Sequence, residues 1–190
     1  MELQALTAIS PIDGRYRNQL QHLDAYFSEY ALIKYRIEVE ILYFIFLSEK
    51  KFFKLNNAEK KALIKIINDF SVQQAQSVKD LEKVTNHDVK AVEYFIKAAL
   101  EKIGLSHFKE WVHFGLTSQD INNTAIPLSW KRALENEYLP AVSTLILQIQ
   151  SLAKSWKAIP MLARTHGQPA SPTKLGKEIM VFAERLNLQI

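Results

Sequence analysis

Apolar residues recur at helical spacing along most of the 190-residue chain, and this periodicity constrains the fold more than any other feature. After Asp88 they stand three or four residues apart for four turns, and Gly104 follows the last of them. Five glycines and six prolines leave little material for the turns of a sheet-rich fold. The sequence therefore predicts an all-α protein. The apolar positions of this segment are Val89, Val92, Phe95, Ile96, Ala99, Leu100 and Ile103.

Helices are also predicted before this segment. A heavily apolar helix is expected over residues 28–48. The apolar run over residues 41–47 fits a buried strand as well, but the helical pattern before it favours a buried helix. Asn56 and Glu59 have the spacing of a capping box at the start of the next helix. A more polar helix over residues 71–84 is expected to lie on the surface.

The C-terminal part of the chain has the pattern of long bundle helices. Pro140 is predicted to begin one helix, since proline is favoured in the first helical turn. Ser171–Pro172 is predicted to open the last helix, whose apolar face continues to Ile190 without a stop signal. This pattern indicates a fragment of a longer bundle protein. The predicted seam of the first of these helices consists of Val142, Leu145, Ile149, Leu152 and Trp156.

Composition and charge argue against several classes of protein. The absence of cysteine excludes a disulfide framework and thiolate metal sites. The segment Met1–Gln4 lacks the regions of a signal peptide, and the longest apolar run, Ile41–Leu47, is too short to span a bilayer. The net charge is +4, and the small lysine clusters lack the interleaved aromatic residues of a nucleic-acid groove. We therefore expect a cytoplasmic protein that binds neither nucleic acid nor membrane.

The segment Arg164–Ala170 contains the first candidate for chemistry, His166. Thr165 precedes this histidine, and Gly167 lets the backbone approach a ligand closely. The proline that follows Gln168 favours extended geometry there, so the histidine is expected on a short, stiff loop. An ordinary helix connection with a solvated histidine fits the same spacing.

A turn sequence near the N-terminus, Ser10–Tyr16, contains a second candidate pair. Arg15 carries a planar guanidinium that can bind phosphate through two parallel hydrogen bonds, and Tyr16 can stack or donate a hydrogen bond. On spacing alone, an exposed turn with incidental charge explains the pair as well.

The polar segment Thr85–Asp88 lies at a predicted helix N-terminus, where free N–H groups and the helix dipole favour an anion. Asn86 or Asp88 can instead be a simple helix cap. A cap does not explain His87, because histidine is not a preferred residue there. A metal site formed by His87 and Asp88 would lack further ligands at suitable spacing.

A second hydroxyl-rich helix start occurs at Thr117–Asp120. The hydroxyls of Thr117 and Ser118 can hold a phosphate or carboxylate, whereas Thr117 and Asp120 also form an approximate capping pair. His107 and His113, in the aromatic segment before this start, are interpreted as structural or solvated.

Four sequence blocks, taken in their order along the chain, resemble the adenylosuccinate lyase family of the fumarase/aspartase superfamily, in its bacterial form. The Gly-Gln-Pro-Ala that follows His166 is similar to this family rather than to fumarase or argininosuccinate lyase. Gln119 departs from the pattern, since close bacterial relatives often carry glutamate there. The blocks are Ser10–Tyr16, Thr85–Phe95, Thr117–Asn123 and Arg164–Ala170.

The resemblance implies a fold and an activity. The fold would be an N-terminal helical domain over residues 1–112, followed by the incomplete start of a central long-helix bundle over residues 113–190. The reaction would be β-elimination of fumarate from adenylosuccinate, giving AMP, and from succinyl-aminoimidazole-carboxamide ribotide (SAICAR) in purine biosynthesis. No metal or organic cofactor is implied. The family is a cytoplasmic homotetramer whose active sites are shared between subunits.

The resemblance also assigns roles to residues. His166 matches the general acid that protonates the departing nitrogen, a task that suits imidazole, and His87 is a second catalytic candidate. Thr117 and Ser118 match residues that hold the succinyl part. The remaining substrate-binding candidates are Arg15, Tyr16, Asn86, Asp88, Thr165 and Gln168, together with His87 itself.

The family's catalytic base is a serine on a mobile Gly-Ser-Ser loop, and nothing like that loop occurs in these 190 residues. The chain alone is therefore expected to be inactive. Two alternatives stay open at this point. The first is another lyase of the superfamily that acts on a different succinyl adduct, and the second is a non-catalytic helical module for assembly or nucleotide sensing.

Overall fold

The structure is a computed structural model that describes Leu6 and residues 8–190. The chain divides into two units, residues 1–131 and 132–190. The boundary predicted between residues 112 and 113, which would separate an N-terminal domain from a central bundle domain, stays a prediction.

The first unit consists of helices joined by short turns. Its longest helix, α3, begins after Ser28, whose side chain accepts a hydrogen bond from the Ala31 N–H at 3.1 Å. The elements are α1 (Arg17–Leu20), α2 (Asp24–Phe27), α3 (Glu29–Glu49), α4 (Asn57–Asn68), α5 (Val72–Thr85), α6 (Asp88–Lys102) and α7 (Ser118–Ala133), with 3₁₀ turns at Gln21–Leu23 and Ser106–Trp111.

Helix α3 forms the centre of the first unit because it is apolar on several sides. It packs against α4, α5 and α6, and residues on more than one of its faces are buried. Ile37 and Ile41 are fully buried. The prediction of a buried helix over residues 28–48 is confirmed. The buried core around this helix contains Ile33, Ile37, Ile41, Phe44, Leu47, Leu63, Ile67, Val78, Val92, Ile96 and Leu100.

Local capping signals determine where these helices begin. Asn56 and Glu59 form the predicted capping box at the start of α4. A second capping box, between Ser71 and Gln74, starts α5. The prediction that α5 lies on the surface is confirmed, and Ala75 and Val78 on one of its faces are buried in the core.

The second unit contains two long helices and a β-hairpin. A π-helical segment, Leu134–Tyr138, leads directly into α8 (Leu139–Ser155). Pro140 lies in the first turn of α8, as predicted, although α8 continues from the π-helical segment without a break. Proline lacks an N–H donor, and the wider π-helical turn just before it accommodates the missing helical hydrogen bond.

The hairpin replaces part of the predicted last helix. Strands β1 (Pro160–Thr165) and β2 (Gln168–Lys174) pair in antiparallel fashion, and α9 follows over Leu175–Asn187. Ser171–Pro172 therefore lies in a strand and opens no helix. The physical reason is that proline favours an extended backbone in the residue before it, and Pro172 pairs opposite Leu162. The all-α fold class is confirmed, with this small sheet as its only departure in the described residues.

Helices α8 and α9 approach each other closely through small residues. Gly176 and Ala183 of α9 are buried, as are Ile146 and Ala153 of α8. A Cβ atom at Gly176 would lie 2.1 Å from the Ala153 carbonyl oxygen. This buried line differs from the predicted seam, whose Leu145 and Leu152 are 46% and 44% exposed.

No helix in the described part of the chain combines the length and the apolar character that crossing a membrane requires.

Candidate active site

His87 is the N-cap of α6, although its residue type did not predict this role. Its Nδ1 accepts a hydrogen bond from the Lys90 N–H at 3.1 Å. Asn86 instead ends α5 in a left-handed conformation, with φ of 51°. Because Nδ1 accepts, the proton of the neutral ring is on Nε2. The half-exposed imidazole of His87 therefore presents an N–H donor to a ligand.

Asp88 is the first residue of α6, and its carboxylate is held from two sides. One oxygen accepts from the Val89 N–H at 2.8 Å, and the other pairs with Nη2 of Arg36 at 2.7 Å. Partial burial raises the pKa of Asp88, but this hydrogen bond and the guanidinium outweigh it and hold that pKa below its usual value. The Val89 and Lys90 N–H groups are thus already bonded. An anion at this helix start would meet the His87 ring rather than an open row of N–H groups.

Arg36 of α3 is a site residue that the sequence patterns did not single out. It is 6% exposed, and its Nε donates to Oδ1 of Asn122 at 2.9 Å. Arg36 therefore joins two of the four blocks, since Asp88 lies in one and Asn122 in the other. A charged residue inside a heavily apolar helix was the available signal, because a buried charge needs a partner.

The segment at Thr117 forms the predicted cap of α7. The Thr117 N–H donates to Oδ2 of Asp120 at 2.7 Å, and the Thr117 hydroxyl donates to the same oxygen at 2.9 Å. These hydrogen bonds hold the pKa of Asp120 below its usual value. Thr117 is therefore committed to its cap. The half-buried Ser118 hydroxyl has no hydrogen-bond partner in the described part of the chain, so it is available to a ligand.

The turn before Thr117 is supported by a buried carboxylate. His113 has a left-handed backbone, with φ of 61°, and its Nδ1 makes a short contact with Oε1 of Glu40 on α3. Burial raises the pKa of Glu40 against the opposing hydrogen bond from His113. The structural interpretation of His113 fits this arrangement. His107 is exposed and packs its ring against Phe108.

Arg15 and Tyr16 lie in the N-terminal turn, and Tyr16 donates its N–H to the Pro11 carbonyl at 2.9 Å. The Arg15 guanidinium lies 5.4 Å from the centre of the Tyr16 ring and forms no ion pair within the described residues. Arg17 differs, because it binds both carboxylate oxygens of Asp24. The guanidinium of Arg15 is therefore available to a ligand.

His166 lies at the tip of the hairpin in the second unit. His166 and Gly167 form a two-residue turn with φ of 49° and 76°, and Thr165 pairs opposite Gln168. The predicted loop is thus a two-residue hairpin turn. The four residues 165–168 are all exposed. The imidazole of His166 makes no hydrogen bond in the described part of the chain.

The structure brings together the blocks at Thr85–Phe95 and Thr117–Asn123 through Arg36. No hydrogen bond or ion pair within the described residues joins Arg15 to either block. No group of three or more His, Asp and Glu side chains in the part of the chain described here could hold a metal ion.

Comparison with known proteins gives close relatives along the whole chain. Adenylosuccinate lyase from Dictyostelium discoideum is 55% identical over 198 residues, covering 100% of this chain. The enzymes of the same name from Legionella pneumophila (strain Corby) and Escherichia coli (strain K12) are 44% and 42% identical, covering 98% and 100%. The resemblance is therefore not confined to bacterial proteins. The chain spans about 42% of the length of each of these relatives.

Solved structures show the same fold at low sequence identity. A fumarate lyase from Mesorhizobium sp. BNC1 matches 90% of this chain and 38% of its own, with a TM-score of 0.70 at 18% identity. A β-carboxy-cis,cis-muconate cycloisomerase from Acinetobacter calcoaceticus sp. ADP1 matches 88% of this chain and 38% of its own, with a TM-score of 0.62 at 22% identity.

A family model described as a lyase matches residues 14–190, a range that contains three of the four blocks complete and the last three residues of the first. Because it covers more than half of the chain, this match shows that the chain belongs to the lyase family of the fumarase/aspartase superfamily, within which it is similar to the adenylosuccinate lyases named above.

Proposed function

We propose that the protein containing this chain is a carbon–nitrogen lyase that eliminates fumarate from adenylosuccinate, giving AMP, and from SAICAR. The observation that carries the proposal is the similarity to adenylosuccinate lyases along the whole chain, at 42–55% identity. The available groups of the site agree with a substrate that carries a phosphate and two carboxylates. They are the guanidinium of Arg15, the Nε2–H of His87 and the hydroxyl of Ser118.

In the proposed reaction, a base removes a proton from the succinyl carbon next to the carbon that bears nitrogen. The electron pair of that C–H bond forms the double bond of fumarate, and the C–N bond breaks with its electrons on nitrogen. Protonated His166 gives its proton to that nitrogen and so prevents it from leaving as an unstable anion. The exposed, unbonded imidazole at the hairpin tip suits this role.

The other site residues bind and orient the substrate in this proposal. Arg15 and Tyr16 hold the nucleotide together with Asn86, His87 and Asp88. Thr117 and Ser118 hold the succinyl part. Because Thr117 already caps α7, its contribution is to place Ser118 and the first turn of that helix. Thr165 and Gln168 flank the turn that presents His166.

In this proposal, the full-length protein is a cytoplasmic homotetramer, and each active site is formed by residues of several subunits. Exposed apolar residues on the long helices of the second unit support assembly, because large patches of this kind mark interfaces. They include Leu145, Leu147, Phe182 and Val181, which are 41% to 65% exposed.

The proposal is tested by measuring fumarate release by the full-length protein from adenylosuccinate, SAICAR and argininosuccinate. We expect turnover of the first two and none of the third. Turnover of argininosuccinate alone would make the protein a different lyase of the superfamily, and no turnover of any of the three would make it a non-catalytic module. The 190-residue chain should release no fumarate, since the family's base loop has no counterpart in it. Release by the chain alone that is abolished by His166→Ala would contradict this placement of the base.

A further inference from the structure

Three side chains of α3 bond to the two linked blocks or to the turn that precedes Thr117. Arg36, Glu40 and Tyr43 stand four and three residues apart, so they lie along one face of the helix. We call them the polar row of α3. Arg36 and Glu40 are buried, and buried polar groups of this kind require partners.

The first member, Arg36, reaches two blocks at once. Its Nη2 pairs with Oδ2 of Asp88 at 2.7 Å, and its Nε donates to Oδ1 of Asn122 at 2.9 Å. Arg36 is 6% exposed, so loss of either partner would leave a buried donor unsatisfied. Asp88 directly follows the cap His87, and Asn122 lies one turn after Ser118.

The other two members hold the turn before Thr117. Glu40 contacts Nδ1 of His113, and the Tyr43 hydroxyl donates to the Phe114 carbonyl at 3.0 Å. The backbone of this turn is left-handed at His113, a conformation that non-glycine residues keep only where the surroundings hold it. Oε2 of Glu40 has no hydrogen-bond partner in the described part of the chain, so the carboxylate is committed to His113 alone.

We infer that the polar row of α3 positions the two substrate-binding helix starts, with Arg36 fixing His87 relative to Ser118 and with Glu40 and Tyr43 fixing the turn that leads into Thr117. This inference rests on the proposed function, because it assigns substrate binding to both helix starts. The three residues touch no substrate. They are positioning residues, and their effect passes through His87 and Ser118.

The test uses the full-length protein with Arg36→Lys and Tyr43→Phe. Lysine keeps the charge but cannot bond Asp88 and Asn122 from two fixed nitrogens at once. Phenylalanine keeps the ring and removes one hydroxyl. We expect the dissociation constant of adenylosuccinate to rise about 10- to 100-fold in Arg36→Lys and a few-fold in Tyr43→Phe. In the His87→Ala background, Arg36→Lys should raise the dissociation constant by a smaller factor, because the His87 side chain through which Arg36 acts is already absent.

The matched control is Ile37→Val, a fully buried change on the same helix that removes one methylene and no hydrogen bond or ion pair to either block. It should lower the unfolding midpoint without changing the dissociation constant. Binding as tight as the parent in Arg36→Lys and Tyr43→Phe would overturn the inference. The inference would also be overturned if Ile37→Val weakened binding as much as Arg36→Lys at the same loss of stability.

Amide hydrogen exchange gives a readout that needs no substrate. The Lys90 and Thr117 N–H groups are bonded within their caps, so exchange at both should accelerate more in Arg36→Lys than in Ile37→Val at a matched loss of stability, while exchange in α4 changes equally in the two variants. Unchanged exchange at both positions would contradict the positioning role. If the parent protein fails to release fumarate from adenylosuccinate, the proposed function fails, and the exchange result still decides whether the row positions the helix starts.

Discussion

At the scale of single residues, the two nitrogens of His87 have different roles. Nδ1 accepts from the Lys90 N–H and so caps α6, which leaves Nε2 as the outward donor. A side chain that is locked by a backbone hydrogen bond loses little freedom when it binds a ligand. The capping function and the proposed binding function therefore support each other in one residue.

Arg15 allows a prediction with a close internal control. Arg15→Lys keeps the positive charge but loses the bidentate guanidinium, so we expect substrate binding by the full-length protein to weaken about 10-fold. The dissociation constant of adenylosuccinate at two salt concentrations measures the effect. Arg17→Lys is the same substitution two residues later, and Arg17 already has Asp24 as its partner, so binding should change little there. Equal binding by Arg15→Lys and the parent at both salt concentrations would remove Arg15 from the phosphate site.

At the scale of elements, Gly176 allows a prediction in which two effects have opposite signs. Replacing glycine by alanine in a helix usually stabilises it by about 1 kcal/mol. Here the added methyl group would lie 2.1 Å from the Ala153 carbonyl oxygen, a clash with backbone that cannot rotate away. Overpacking of this kind costs about 1–3 kcal/mol, so Gly176→Ala should lower the unfolding midpoint of the full-length protein.

The control for Gly176→Ala is Lys177→Ala, an exposed neighbour in the same helix, which should leave the unfolding midpoint within about 1 °C of the parent. A midpoint that rises in Gly176→Ala would mean that α8 and α9 do not pack as closely as described.

Elements whose signals are local were predictable from the sequence. The capping boxes at Asn56 and Thr117 depend on residues three positions apart, and both predictions are confirmed. The hairpin was missed because its turn is His166–Gly167, whereas the usual two-residue turn signal has asparagine or aspartate before glycine. The pair Ser171–Pro172 is compatible both with the start of a helix and with an exposed strand, so the sequence does not distinguish the two.

Partners far apart in the chain were not predictable in the same way. The hydrogen bond from Arg36 to Asn122 spans 86 residues, and no periodic pattern relates the two positions. The sequence identified the blocks that contain Asp88 and Asn122, whereas the packing of α3 against them identifies Arg36 as their common partner. The same holds for Glu40 and His113, which are 73 residues apart.

At the scale of the whole molecule, the candidate residues are divided between the two units. Arg15, His87 and Ser118 lie in the first unit, and His166 lies in the second. The chain spans about 42% of the length of its relatives, so the base and further parts of the site are proposed to come from the rest of the protein and from neighbouring subunits. The central proposal is that the full-length protein is an adenylosuccinate lyase in which His166 is the general acid.

The most direct test of this claim separates turnover from binding in the full-length His166→Ala variant. We predict that kcat for adenylosuccinate falls about 10²–10⁴-fold while the dissociation constant stays within a few-fold of the parent, because a general acid acts mainly in the transition state. The control is His107→Ala, an exposed histidine outside the four blocks, which should keep both values. A His166→Ala variant with near-normal kcat and only a raised KM would contradict the claim.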